Sequence, residues 1–293
     1  MRRPSRTRHF VASVVAATLL GVTAAAATSR VVGPPVGAAF QYQLQATSTG
    51  AGTSGGIDRS LCTVPFGGGP CVRPRVFDID LYGPNGAPDR AAVASIHRAG
   101  GYAICYVDAG TWENWRPDAR RFPATLLGRS NGWPGERWLD VRHRAVLLGI
   151  MATRVARCAA AGFDAVEFDN VDGYSNATGF AITAADQLRY DEALAALAHR
   201  DHLAVGLKND FAQAATLESH FDFALDESCV QYQECASLVP FRRAGKAVYD
   251  VEYEVAPSRF CAAAAAAGVT AIAKALSLTA RPWSACPLHH SSR

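Results

Sequence analysis

The chain has 293 residues, 49% of them hydrophobic and 19% charged, with a formal net charge of +3. That length and composition suffice for one large domain with a full core. Four arginines within the first 27 residues supply the positive sign; without them 25 basic residues face 26 acidic ones, a charge of −1, which excludes the basic footprint of a nucleic-acid binder.

Arg2, Arg3, Arg6 and Arg8 precede an apolar run from Phe10 to Val22, and Ala24 to Ala27 form a small-residue cleavage site. Residues 1–27 therefore read as a secretory signal peptide, too short and wrongly flanked for a lasting membrane anchor. The expected product is an exported protein without stable membrane insertion, a monomer whose domain runs over residues 28–293. Eight cysteines in an exported chain read as a disulfide set. Cys62 and Cys71 would staple a Ser/Thr/Gly-rich loop near residues 47–71, Cys229 and Cys235 would close a short loop, and Cys261 would reach Cys286. Cys105 and Cys158 either pair or remain buried thiols. No CxxC pair and no helical HExxH occurs, so no metal and no cofactor are expected.

A rhythm then sets in. Four times a helical stretch ends in Ala-Gly (99–100, 161–162, 244–245 and 267–268) and an apolar run follows within a few residues. Glycine there supplies the left-handed turn after a helix. Strands are expected at Gln41–Leu44, Arg75–Ile79, Ala103–Val107, Arg137–Val141, Ala165–Phe168, Leu203–Leu207, Phe221–Leu225, Ala247–Tyr249 and Thr270–Ala273. Helices are expected at Ala87–Ala99, His143–Ala161, Ala184–Arg200 and Pro257–Ala267, the third opened by a capping box of Thr183 and Asp186. Alternation of this kind implies parallel βα units. Nine candidates are one too many for a (β/α)8 TIM barrel of α/β class, so the Arg137 run or the last lies outside it. No Gly-rich phosphate fingerprint supports a doubly wound sheet instead.

Polar residues crowd one end of these runs: Asp78 and Asp80; Tyr106 and Asp108, then Trp112 and Trp115; Asp169, Asn170, Asp172 and Tyr174; Lys208 and Asn209; Glu227; Glu252 and Tyr253. Barrel enzymes place their sites at the C-terminal strand ends, so these are the candidate substrate-binding and catalytic groups. Parity puts Ala165, Glu167 and Asp169 on one face, as it does Phe223, Leu225 and Glu227, with Glu167 a layer deeper. Asp169 and Glu227, on strands separated by one other, would face each other across a cleft. Two carboxylates with aromatic residues around them suit glycosidic cleavage, one protonating the leaving oxygen while the other attacks or activates water. A non-catalytic carbohydrate-binding barrel and a metal-dependent barrel hydrolase are the competing readings.

Several segments together carry a resemblance. They are YQLQ (42–45), FDIDLY (77–82), ICYVDAGTWENWRPDA (104–119), NGWPGERWLD (131–140), AVEFDNVDGY (165–174), VGLKND (205–210) and FALDESC (223–229) followed by QYQEC. In this order they resemble glycoside hydrolase family 114, the endo-α-1,4-polygalactosaminidase family. The resemblance implies a TIM barrel, cleavage of galactosamine-containing polymers such as galactosaminogalactan, and catalytic acids at Asp169 and Glu227. Two positions depart from the family's usual residues: Phe168 stands in place of proline, and Asp108 in place of a small residue. A deacetylated galactosamine carries an ammonium group, which Asp78, Asp80, Asp108, Asp172 and Glu252 are placed to receive. Together they would focus a cationic polymer toward the cleft.

Overall fold

A computed structural model describes residues 31–46 and 53–287; the signal peptide read from the sequence lies outside them. Eight parallel strands form the sheet in chain order: β1 (Phe40–Gln43), β2 (Val76–Asp80), β3 (Tyr102–Asp108), β4 (Ala165–Asp169), β5 (Ala204–Lys208), β6 (Phe223–Glu227), β7 (Ala247–Glu252) and β8 (Thr270–Ala273). A short β9 (Ser284–Ala285) runs antiparallel beside β8. Helices α1 (Arg90–Arg98), α2 (Arg144–Ala161), α3 (Ala184–Arg200), α4 (Ala214–Leu217), α5 (Val239–Arg243) and α6 (Pro257–Ala267) fill the crossovers from β2 onward. This is the TIM-barrel class expected from the sequence. The surplus candidate is Arg137–Val141: Glu136–Trp138 instead pairs antiparallel with Thr111–Glu113, in a hairpin separate from the barrel.

Local chemistry explains the elements. The glycine of each Ala-Gly pair has positive φ, and Gly162 caps α2 in the left-handed region at φ 94°. Thr183 and Asp186 form the reciprocal capping box at the start of α3. Inside the barrel, Phe40, Val76, Ile104, Ala165, Phe223, Tyr249 and Ile272 build one core. A larger one, including Val93, Val155, Phe168 and Leu194, lies between sheet and helices. All eight cysteines pair: Cys62–Cys71, Cys229–Cys235, Cys261–Cys286, and Cys105 of β3 with Cys158 of α2.

The wall at β1 is built differently. Among the described residues no helix covers it, and its outward Gln41 and Gln43 are fully buried against loops. Gln41 donates to the Ala280 carbonyl at 3.0 Å, and Gln43 to that of Gly56 at 2.8 Å. No ladder joins β8 to β1 among the described residues. The seam is closed by side chains: Lys274 donates to Gln41 Oε1 at 3.0 Å and the Trp283 indole donates to the Phe40 carbonyl at 3.0 Å. Buried polar groups are tolerated there because each finds a partner.

Candidate active site

The register sets the site. Asp108 and Asp169 lie level on β3 and β4, as do Tyr106 and Glu167, while Lys208 on β5 lies level with Leu225 on β6. Below Lys208 the chain has Gly206, where a Cβ would stand 2.4 Å from the Phe223 ring, so the aromatic ring fills that layer. Lys208 is thereby buried at the barrel axis with its ammonium among carboxylates. It donates to Asp169 Oδ1 at 2.7 Å, pairs with Glu227 Oε2 at 3.1 Å and stands 3.8 Å from Glu167 Oε1. Two oxygens on one ammonium are no farther apart than the two distances laid end to end, about 5.8 Å.

Asp169 collects four donors. Besides Lys208 these are Tyr106 OH at 2.7 Å, the Asn170 backbone N–H at 2.9 Å and Asn170 Nδ2 at 3.3 Å. Burial pushes its carboxyl up, but the Lys208 charge and these hydrogen bonds outweigh it and hold the group below its ordinary range. Glu227 accepts a short hydrogen bond from Tyr253 OH, and its backbone N–H donates to Asn209 Oδ1 at 3.1 Å. Beneath them Asp78 and Glu167 are fully buried, with no hydrogen-bond partner for either carboxyl among the described residues, and burial pushes both well above the usual range. Directly after Asp169, Lys208 and Glu227 comes a residue with positive φ: Asn170 at 59°, Asn209 at 51° and Ser228 at 67°. Such conformations cost about 1–3 kcal/mol each and persist where the surroundings overdetermine them.

A cleft of about 440 Å³ opens above this cluster, lined by Asp80, Tyr106, Asp169, Asn170, Asn209, Glu227 and Tyr253, which the sequence had put forward. Trp115 also lines it and is 52% exposed, free to stack on a ligand. Other candidates lie elsewhere. Trp112 turns outward from its hairpin and donates its indole N–H to the Ala119 carbonyl at 3.0 Å. Asp108 is buried, held by Thr111, and accepts from Asn170 Nδ2 at 3.0 Å, so it orients Asn170 rather than facing the cleft. Asp172 and Tyr174 sit on the loop after β4 outside the cleft lining, the Tyr174 hydroxyl donating to Asp210 Oδ1 at 2.8 Å. Glu252 points to the outer face, where Oε1 accepts the Val230 and Gln231 N–H groups at 2.8 and 3.2 Å.

The sequence reading passed over four ionisable groups that line the cleft, Tyr42, Glu113, Arg116 and Glu136. Tyr42 of β1 lies beside Lys208, its hydroxyl 3.3 Å from Nζ. Arg116 bridges Asp80 at 2.7 Å and Glu113 at 2.6 Å. Glu136 enters from the hairpin. Burial drives the Glu113 carboxyl up to about 7 although Arg116 pulls the other way. Two groups of side chains lie close enough to share an ion, Asp108 with Glu113 and Glu136, and Asp226 with Cys229 and Asp250. Arg116 and Thr111 already engage the first group, and Cys229 of the second is bonded to Cys235.

No curated protein matches the chain in sequence. Among solved structures it is similar to Aspergillus fumigatus Ega3, determined in complex with galactosamine, with 31% identity, a TM-score of 0.73, and coverage of 86% of this chain and 96% of that one. The glycoside hydrolase domain of PelA from Pseudomonas aeruginosa shares the fold at 13% identity and a TM-score of 0.58, over 84% of this chain and 97% of that one. Residues 21–289 match the glycoside-hydrolase family GH114. The protein is thus a glycoside hydrolase, and it belongs to family GH114.

Proposed function

We propose that the protein is an exported, endo-acting hydrolase of α-1,4-linked, galactosamine-containing polysaccharide, working with retention of configuration. The observation that carries this reading is the pair of carboxylates on Lys208. Two of their oxygens lie at most about 5.8 Å apart, which favours the narrow separation of retaining enzymes, about 5–5.5 Å, over the roughly 6.5–9.5 Å that inversion needs to admit water. Asp169, ionised and held by four donors, is the nucleophile. Its oxygen attacks the anomeric carbon while the Glu227 carboxylic acid gives its proton to the leaving oxygen. The resulting glycosyl ester is then opened by water, whose proton returns to the Glu227 carboxylate, releasing Asp169.

Ega3, solved with galactosamine, supports the choice of sugar, as does the cleft's acidity: among the described residues five carboxyl groups line it, against Arg116 in the lining and Lys208 beneath. Four disulfides support export. No helix among the described residues is long and apolar enough to cross a membrane. Incubation with galactosaminogalactan is expected to yield a ladder of mid-sized fragments, and NMR of the first product an α reducing end. A first product with β configuration would refute retention; polymer bound without new reducing ends would leave only a binding protein.

A further inference from the structure

The acids the sequence offers to a substrate ammonium are mostly unavailable to it. Asp78 is buried under Lys208, while Asp108, Asp172 and Glu252 lie outside the cleft lining. Asp80 faces the cleft, but its Oδ1 already accepts from Arg116 and from the Tyr82 N–H, both at 2.7 Å. Glu113 is paired with Arg116, and Asp169 and Glu227 share Lys208. One lining carboxyl is left.

Glu136 forms no ion pair among the described residues. Its Oε2 accepts from Asn131 Nδ2 at 2.6 Å and Thr111 Oγ1 at 3.2 Å, while Oε1 has no protein partner among them. The turn that presents it is tied internally. The Trp133 N–H donates to Asn131 Oδ1 at 3.1 Å, and the Glu136 N–H to the Trp133 carbonyl at 3.1 Å. Trp133, 47% exposed, and Trp115, which packs against Gly135, line the cleft together with Glu136. A half-buried carboxyl oriented through one oxygen and bare on the other, in a cleft that two indoles also line, suits an ammonium, which gains a charge-assisted hydrogen bond there. A neutral acetamide brings one N–H donor but no positive charge to the carboxylate.

Resting on the hydrolase reading above, we propose that Glu136 is the residue that selects for amine-bearing sugars, its carboxylate receiving the ammonium of a galactosamine unit in the bound polymer. Burial and the negative charge of Asp169 push its carboxyl above the ordinary range, and a bound cation reverses that cost.

The test is a cycle between Glu136→Gln and the substrate amine. Wild type and variant are compared on fully deacetylated and fully N-acetylated α-1,4-galactosamine oligomers, by kcat/KM and by calorimetric Kd. Glutamine keeps the acceptor for Asn131 and Thr111, so the melting temperature is expected to hold. The wild-type preference for the amine is expected to fall about tenfold in the variant, mainly through KM and Kd, with the acetylated oligomer unaffected. An equal loss on both oligomers would mean a merely structural role, and an unchanged preference would also overturn the proposal. A wild type that binds both oligomers but cleaves neither would defeat the hydrolase reading alone, since the Kd comparison still decides Glu136.

Discussion

Asp169→Asn is expected to lower kcat/KM by roughly ten-thousandfold or more while leaving a folded, polymer-binding protein. Asparagine keeps the shape and, with its oxygen in the Oδ1 position, the acceptor for Lys208, while its NH2 faces the Tyr106 hydroxyl. Its amide cannot form the glycosyl ester. Glu227→Ala should fail differently. It loses turnover of polymer, whose poor leaving group needs a proton, and retains turnover of an α-galactosaminide with an activated aryl leaving group. Added azide separates the two roles. In Asp169→Ala it occupies the vacated side and gives the β-azide, whereas in Glu227→Ala it intercepts the glycosyl ester and gives the α-azide. The opposite pattern would exchange the two assignments, and full activity in either variant would remove that residue from the pair.

The second large effect is expected from Lys208→Met. This substitution removes an ammonium in contact with Asp169, Glu227 and Glu167. Breaking a buried ion pair by deleting one partner costs about 3–5 kcal/mol. The sign with pH follows from Asp169, whose folded form holds its proton less tightly than the unfolded chain does. That group contributes stability above its unfolded range, and the contribution disappears as pH falls through its folded range. Without Lys208, burial dominates and the carboxyl moves up. The acid limb of the kcat/KM profile should therefore shift to higher pH, and stability near neutrality should fall, measured by urea denaturation across pH. An unmoved acid limb would mean that Lys208 does not set the ionisation of Asp169.

Much of this was legible in the chain because it was encoded locally. The Ala-Gly pairs, the Thr183–Asp186 box and the polar strand ends each depend on neighbours within a few residues. The pairing of Asp169 with Glu227 needed only strand parity. Parity carried along β7 also places Tyr249, Val251 and Tyr253 on the inner face, which turns Glu252 outward; the strand's composition alone did not reveal that. Arg137–Val141 had the composition of a barrel strand, and only its pairing with Thr111–Glu113 excludes it. Arg116 and Glu136 escaped for the same reason. They reach the cleft through a hairpin that folds back over the strand ends, a placement set by long-range packing.

The seam between β8 and β1 has a consequence of its own. Seven parallel neighbours are zipped by backbone ladders, while the last join is laced by Lys274, Trp283 and the stretch of chain before β9. That same stretch, through Leu276, Ser277 and Leu278, forms one bank of the groove, and the Gln45 N–H clips to Leu278 at 3.0 Å. Breathing should begin there, with amide deuteration fastest across Lys274–Ala285 and slowest across β4 to β6. The groove thus has a hard side that carries the chemistry and a yielding side through which a long, irregular chain can be admitted.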